Sequence, residues 1–256
     1  LAHAPVDGVI AAAAGSVSAL FSAKGVIQYT IQELCEEIKG APDLASTPIA
    51  DLYRREIPSG VLHEFIMLRS VELPGRPSVW LRIDRTARGY PSLSTRTLAD
   101  DTARLAANEN HHLMAGKSRL RAHVEFKYPL KRPHFFTVSD LLSIIHQEST
   151  DYRLFSENCY FFTSIIQEIL TEFHGGEIVS GSLGHKTLGA SARRRVRRRF
   201  VEQLHHAKNP RSKTSSGDKS QKTSPLAEPP LNAPTEKSAG PGVKRVMPNF
   251  RMFRPR

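Results

Sequence analysis

Apolar residues recur at three- and four-residue spacing along the first forty positions, which predicts two helices, over 8–22 and 25–39, separated near Gly25. The first would bury Val9, Ile10, Ala13, Ala14, Val17, Leu20 and Phe21; the second would bury Ile27, Ile31, Leu34, Cys35 and Ile38, and Gly40-Ala41-Pro42 would stop it. Residues 48–55 read as a short helical turn at most. The period then drops to two. Strands are predicted over 61–71 and 78–85, joined through Pro74-Gly75-Arg76-Pro77 as a hairpin. In the second strand Val79, Leu81 and Ile83 face one way, and Trp80, Arg82 and Asp84 the other. A helix follows over 97–108, a loop over 108–118, and a third strand over 119–128. There Val124, Phe126 and Tyr128 alternate with His123, Glu125 and Lys127. A helix over 137–147 opens on Thr137-x-x-Asp140, a variant capping box. After an extended link at 151–155, a strongly apolar helix spans 158–173 and closes at Gly175-Gly176. The fold class expected is α+β: N-terminal helices over 1–56, then a domain over 57–185 with a small antiparallel sheet packed against the last helix, then a tail over 186–256.

Charge sharpens the boundary of the tail. The 256 residues carry a formal net charge of +11, yet residues 186–256 hold 18 of the 36 basic residues and only 4 of the 25 acidic ones. The rest of the chain, with 18 basic and 21 acidic residues, is slightly acidic. Attraction to nucleic acid or to an anionic membrane surface is therefore expected of the tail and not of the body. Its Ser, Pro, Lys, Thr and Gly leave few large apolar residues to offset chain entropy, so most of it is expected to be disordered.

Two cysteines, Cys35 and Cys159, are too few for a disulfide scaffold, and no C-x-x-C pair offers a structural zinc site. A reducing, intracellular setting fits them. No apolar run reaches the roughly 18–20 residues of a membrane span, and no basic stretch precedes the apolar segment at 9–21 as it would in a secretory signal. Phosphate-loop, dinucleotide and serine-elbow fingerprints are absent, so no cofactor is expected. His111-His112 beside Asn110 lacks further ligand spacing and reads as a polar loop.

The candidate chemistry lies at the start of the 158–173 helix. Asn158 is a good N-cap, which places Cys159 at the first helical position. There the positive end of the helix dipole favours a thiolate, and a neighbouring histidine would take or return its proton. Cys159 also fits as a small residue packed at a helix start, and Cys35, on a mid-helix stripe, fits a buried hydrophobe. His63 shares a strand face with Val61, Phe65 and Met67. It is either a core histidine or the partner of the thiol.

The order of a strand histidine followed by a later Asn-Cys helix resembles the permuted branch of the papain-like superfamily, which includes permuted NlpC/P60-like, lecithin-retinol-acyltransferase-like and PPPDE-type thiol enzymes. The matching residues are Leu62-His63-Glu64-Phe65 and Glu157-Asn158-Cys159-Tyr160-Phe161-Phe162. The chain is similar as well to uncharacterised fungal proteins with an HEF strand, a W-x-R-I-D-R strand (here Trp80 to Arg85) and an Asn-Cys-aromatic helix. The resemblance implies a cysteine-dependent hydrolase or acyltransferase that acts on an amide, isopeptide or ester bond of a protein or lipid. Cys159 would be the nucleophile and His63 the base. A third polar residue on a neighbouring strand would orient His63, and Asp84 suits an imidazolium better than Arg82 does. Asp84 could instead pair with Arg82, Arg85 or Arg88, and His123 is the other candidate for the third place. The acyltransferase pattern has a second histidine about a dozen residues after the first; here Pro74, Gly75 and Arg76 stand at that distance.

The alternative is a non-catalytic interaction protein delivered by its tail. Arg193, Arg194, Arg195, Arg197, Arg198 and Arg199 surround a thin apolar stripe of Ala192, Val196, Phe200 and Leu204. A helix there would suit an anionic membrane surface, an acidic groove, nucleic-acid phosphates or a nuclear import receptor, forming mainly on binding. This segment would set the location, nucleus or cytoplasm.

Overall fold

The computed structural model describes residues 26–58, 63–74, 78–88, 97–107, 115–153, 156–184 and 187–208. The helix expected over 8–22, the loop at His111-His112 and the chain beyond 208 lie outside them. The chain divides into two units, Leu1–Pro210 and Arg211–Arg256, and every described element belongs to the first.

The fold is α+β, built on an antiparallel eight-stranded sheet. Its strands are β1 (Val26–Thr30), β2 (Ile49–Ile57), β3 (His63–Ser70), β4 (Val79–Ala87), β5 (Thr97–Ala107), β6 (Arg119–Glu125), β7 (Asp151–Tyr152) and β8 (Glu177–Gly181). The order across the sheet is β1-β5-β4-β3-β2-β6-β8, and β7 pairs with the start of β5. The helices are α1 (Ile31–Gly40), α2 (Pro42–Ala45), α3 (Phe135–Glu148), α4 (Cys159–His174) and α5 (Ala190–Lys208), with a short 3-10 turn at Pro129–Lys131.

The N-terminal third departs from expectation. Residues 26–30 form a strand, because Val26-Ile27-Gln28-Tyr29-Thr30 is rich in β-branched and aromatic side chains. Thr30 ends that strand and caps α1: its hydroxyl accepts from the Glu33 amide at 3.2 Å while the Glu33 carboxylate accepts from the Thr30 amide at 2.8 Å. The stripe Ile31, Leu34, Cys35 and Ile38 is buried as the periodicity requires. Residues 49–57 form β2, an inner strand that pairs with both β3 and β6. Asp51, Arg54 and Glu56 broke its hydrophobic alternation, yet all three are buried and partnered. The boundary set at 56/57 thus falls inside a strand, and no separate helical segment precedes the sheet among the described residues.

Residues 97–107 also form a strand and not a helix. β5 is clasped between β1 and β4 in continuous register, and its Ala103 and Leu105 fill the core beneath α1. Pairing and burial override the helical preference of an Ala-rich sequence here. α3 starts at Phe135 behind His134, two residues ahead of the expected box, and Thr137 makes no cap.

One large core lies between the sheet and the helices. Leu52, Ile66, Leu68, Leu81, Ile83, Leu105 and Val124 of the sheet meet apolar faces of α1, α3, α4 and α5. The opposite sheet face holds a smaller cluster of Phe65, Met67, Trp80 and Ala106. Gly175, at φ +63, closes α4 in the left-handed conformation expected of a helix C-cap.

The largest correction concerns the tail. Residues 190–208, placed in a disordered segment beginning at 186, form a 19-residue helix docked on the body. Its thin stripe is sufficient because Ala192, Val196 and Phe200 are buried against the core, and Leu204 packs at its margin.

Candidate functional site

The hairpin β3–β4 sets the first two residues of the site. His63 opens β3, and Asp84 lies opposite Phe65 on β4, so both side chains belong to the face that carries Phe65 and Met67. The His63 Nε2 proton is donated to Asp84 Oδ1 at 2.9 Å. Arg82, two residues before Asp84 on the same face, donates from Nη2 to Oδ1 at 2.6 Å and from Nε to Oδ2 at 2.7 Å. Its guanidinium also sits 3.7 Å over the Phe65 ring. Asp84 therefore both holds the histidine and pairs with an arginine. Arg82 holds both carboxylate oxygens, sharing Oδ1 with His63, and so fixes the plane in which the ring is bound.

α4 brings the third residue. Asn158 caps the helix, its side chain accepting from the Phe161 amide at 3.1 Å, and Cys159 takes the first helical position. Cys159 is 3% exposed, while the His63 side chain keeps 22% of its surface. The Cys159 side chain lies beside the His63 ring, close enough to favour its protonated form. His63, Asp84 and Cys159 thus meet at one end of the sheet, around the N-terminus of a helix.

The electrostatics follow from these contacts. Burial by itself pulls the His63 pKa down; the hydrogen bond to Asp84, the nearness of Cys159 and the negative charge of Asp84 outweigh it and raise the pKa to about 9. Burial pushes the Asp84 carboxyl up, but His63 and Arg82 together hold it below its ordinary value. His63 is consequently charged at neutral pH, with a carboxylate on one side and the sulfur on the other.

Tyr152 completes the surroundings. It lies on β7, opposite Thr97, and is buried. Its side chain lies near Cys159, and burial first, then the neighbouring Cys159, raises its pKa. The next residue of α4, Tyr160, sits near Glu56 and Glu64; burial first, and then the Cys159 and glutamate charges, push it up to about 12.

A buried polar network under the site anchors the chain that leads into Cys159. Arg85, 0% exposed, donates to Asp101 through Nε and Nη2, each at 2.7 Å, and to Ser149 through Nη1 at 2.8 Å and Nη2 at 2.9 Å. The Ser149 hydroxyl donates to Glu157 at 2.8 Å. Glu157 and Arg153 exchange backbone bonds at 3.2 and 3.0 Å, closing the turn before Asn158. β4, β5, the end of α3 and the Cys159 turn are thereby tied through one guanidinium.

His123 is not brought to His63. It faces Tyr53 on β2, two strands across and four residues along, and donates to Asp51 at 2.8 Å while its ring stacks on Tyr53. Arg69 binds the same Asp51 at 2.6 and 2.8 Å. Sequence reasoning missed Tyr152, which sits in a stretch read as a plain link. It missed the Arg85 network too, although an arginine alternating with Leu81 and Ile83 on a core-facing strand face was a usable signal.

The six arginines of α5 face the body as much as the solvent. Arg195 and Arg199 bind Glu148 at 3.0 and 2.9 Å. Arg193 binds Glu168 at 2.7 Å, and Arg197 binds Glu168 and Glu172. Arg198 is 70% exposed beside Glu202, and Arg194 is exposed. The segment expected to stay free is largely engaged with acidic side chains of α3 and α4.

Among the described residues, no group of three or more His, Cys, Asp or Glu is placed to hold a metal ion, and no helix is long and apolar enough to cross a membrane. A surface cavity of about 520 Å³, lined by Lys39, Pro42, Ala45, His134, Phe136 and Thr137, includes none of the side chains around Cys159. Comparison with known proteins found no matching family model, no matching curated protein and no matching solved structure.

Proposed function

We propose that this protein is a cysteine-dependent hydrolase or acyltransferase acting on an amide, isopeptide or ester carbonyl. The observation that carries the reading is a histidine hydrogen-bonded to a buried aspartate and lying beside a cysteine at the start of a helix. Each part has a chemical task. Cys159 sulfur attacks the carbonyl carbon and forms a C–S bond. The carbonyl oxygen becomes an oxyanion beside the Cys159 amide, a donor at the positive end of α4. His63 transfers its proton to the departing amine or alcohol as the C–N or C–O bond breaks, leaving a thioester. Neutral His63 then takes a proton from water or an acceptor hydroxyl or amine, which attacks the thioester and releases sulfur. Asp84 keeps Nε2 protonated and the ring oriented throughout, steadied by Arg82.

A small thiol-directed vinyl or acyl probe tests this on the 256-residue chain. Cys159 is expected to label in the wild type and not in Cys159→Ala. In His63→Ala the rate should fall roughly 10²-fold or more, the usual worth of a positioned proton-transfer group. Faster labelling of Cys35, or a rate at Cys159 that ignores His63, overturns the reading and leaves a non-catalytic scaffold.

A further inference from the structure

We infer that Arg193 is a positioning residue of the thiol site, acting as a clamp by which α5 holds the first turns of α4 and with them Cys159. This rests on the proposed Cys159–His63 chemistry and adds the element that keeps it in register.

Three contacts on the Cys159 helix, two to nine residues beyond Cys159, and a fourth to the chain before α5 carry the inference. Arg193 is 7% exposed. Its Nη2 donates to the Ser164 hydroxyl, its Nη1 donates to Glu168 at 2.7 Å, and its Nε donates to the Leu188 carbonyl at 2.7 Å. Its guanidinium lies 5.5 Å from the centre of the Phe161 ring, two residues beyond Cys159. One planar fork thus touches α4 at positions 161, 164 and 168, and ties them to the strap that leads into α5. Lysine offers a point charge without that fork.

The strap itself presses on the helix start. Gly189 has φ +61, and a Cβ there would lie 2.6 Å from the Phe161 ring and 3.1 Å from the Ser156 carbonyl oxygen. The residue before α5 is therefore seated against both the turn that precedes Cys159 and the first turn of its helix. Phe161 is held between this glycine and Arg193. Its own amide is the one that Asn158 caps. Freeing Phe161 loosens the cap and moves the Cys159 amide relative to His63, which is fixed independently on β3 by Asp84.

The remaining contacts of α5 do a different job. Val196 and Phe200 bury apolar surface against the core, and Arg195 and Arg199 reach Glu148 at the end of α3. Losing those lowers stability while the Arg193 contacts to Phe161, Ser164 and Glu168 stay in place. This separation makes the role testable.

The experiment compares labelling of Cys159 by the small thiol-directed probe from pH 5 to 10 in wild type, Arg193→Gln, Arg193→Lys and Val196→Ala, well below each melting temperature. Arg193→Gln is expected to slow labelling roughly tenfold or more, as for other sub-ångström to ångström misplacements of reacting groups, and to alter the pH profile. Arg193→Lys should lie between it and the wild type. Val196→Ala, with a comparable loss of thermal stability, should keep the wild-type rate and profile. If Arg193→Gln does not fold, Arg193→Lys against Val196→Ala decides in the same way. Arginine variants that match Val196→Ala at equal stability, or that label at the wild-type rate, overturn the positioning role alone. A wild type without His63-dependent labelling overturns the thiol-site reading and the positioning role with it.

Discussion

His63 concentrates the chemistry of this protein in one ring, because it is partly buried between two groups that prefer it protonated. Its pKa of about 9 stands above the ordinary value of 6.5. A group raised on folding stabilises the native state fully below its unfolded pKa and loses that contribution as pH rises through the folded one. Denaturation in urea should therefore show stability falling between about pH 6.5 and pH 10, and His63→Asn should remove that part of the slope. Turnover that needs His63 as an acid should fall over the same upper range. A pH dependence unchanged in His63→Asn would contradict the assignment of the shift to this ring. The sequence pointed to His63, Cys159 and Asp84 through residue type and order. It left open whether Asp84 serves the histidine or an arginine, and the structure answers that one carboxylate does both.

Among the elements, β4 does the most to build the site. Its alternation sends Arg82 and Asp84 to one face and Ile83 and Arg85 to the other. The first pair orients His63; Arg85 ties β5, α3 and the turn before Cys159. Asp101, opposite Arg85 in register, is almost fully buried, and its carboxyl is held below its ordinary value: burial opposes ionisation, but His146 and Arg85 outweigh it. Breaking a buried pair from one side leaves an unmatched charge, which costs about 3–5 kcal/mol. Asp101→Asn should lower unfolding stability by that order in denaturant titration, with labelling of Cys159 slowed as its turn loosens. A change under about 1 kcal/mol would mean that water reaches Arg85 and replaces the partner. β5 itself escaped sequence analysis, since Ala-rich residues 97–107 prefer a helix until strands on both sides satisfy their backbone groups.

At the scale of the whole molecule, the arginine helix α5 belongs to the body. Phe200 is 1% exposed in the main core, and removing such a ring costs about 3–5 kcal/mol. That is a large share of the roughly 5–15 kcal/mol that stabilises a domain. Phe200→Ala should lower the urea midpoint accordingly, whereas Arg198→Ala, at an exposed position beside Glu202, should change stability by less than about 0.5 kcal/mol. Equal effects would show that α5 does not contribute to the fold. A basic cluster whose members bind Glu148, Glu168 and Glu172 is also a weaker lure for external anions than its composition implies, because each ion pair formed within the body must first be given up.

Local pattern by itself determined the elements whose burial is periodic: the α1 stripe, the β3–β4 hairpin, the two faces of β4, and α4 with its Asn158 cap and Gly175 stop. These depend on side chains a few residues apart, so the order of polar and apolar types fixes them. Tertiary structure decided the rest. Ile49 to Ile57 became an inner strand because its charges found buried partners on other strands. Residues 97–107 became a strand because β1 and β4 enclose them. The thin stripe of α5 became a docked helix because the core offered a matching groove and α3 and α4 offered carboxylates. The site shares this division. Residue types named Cys159 and His63, but their contact, the sharing of Asp84 and the approach of Tyr152 depend on how the sheet end meets a helix start, a long-range geometry that no short window of sequence encodes.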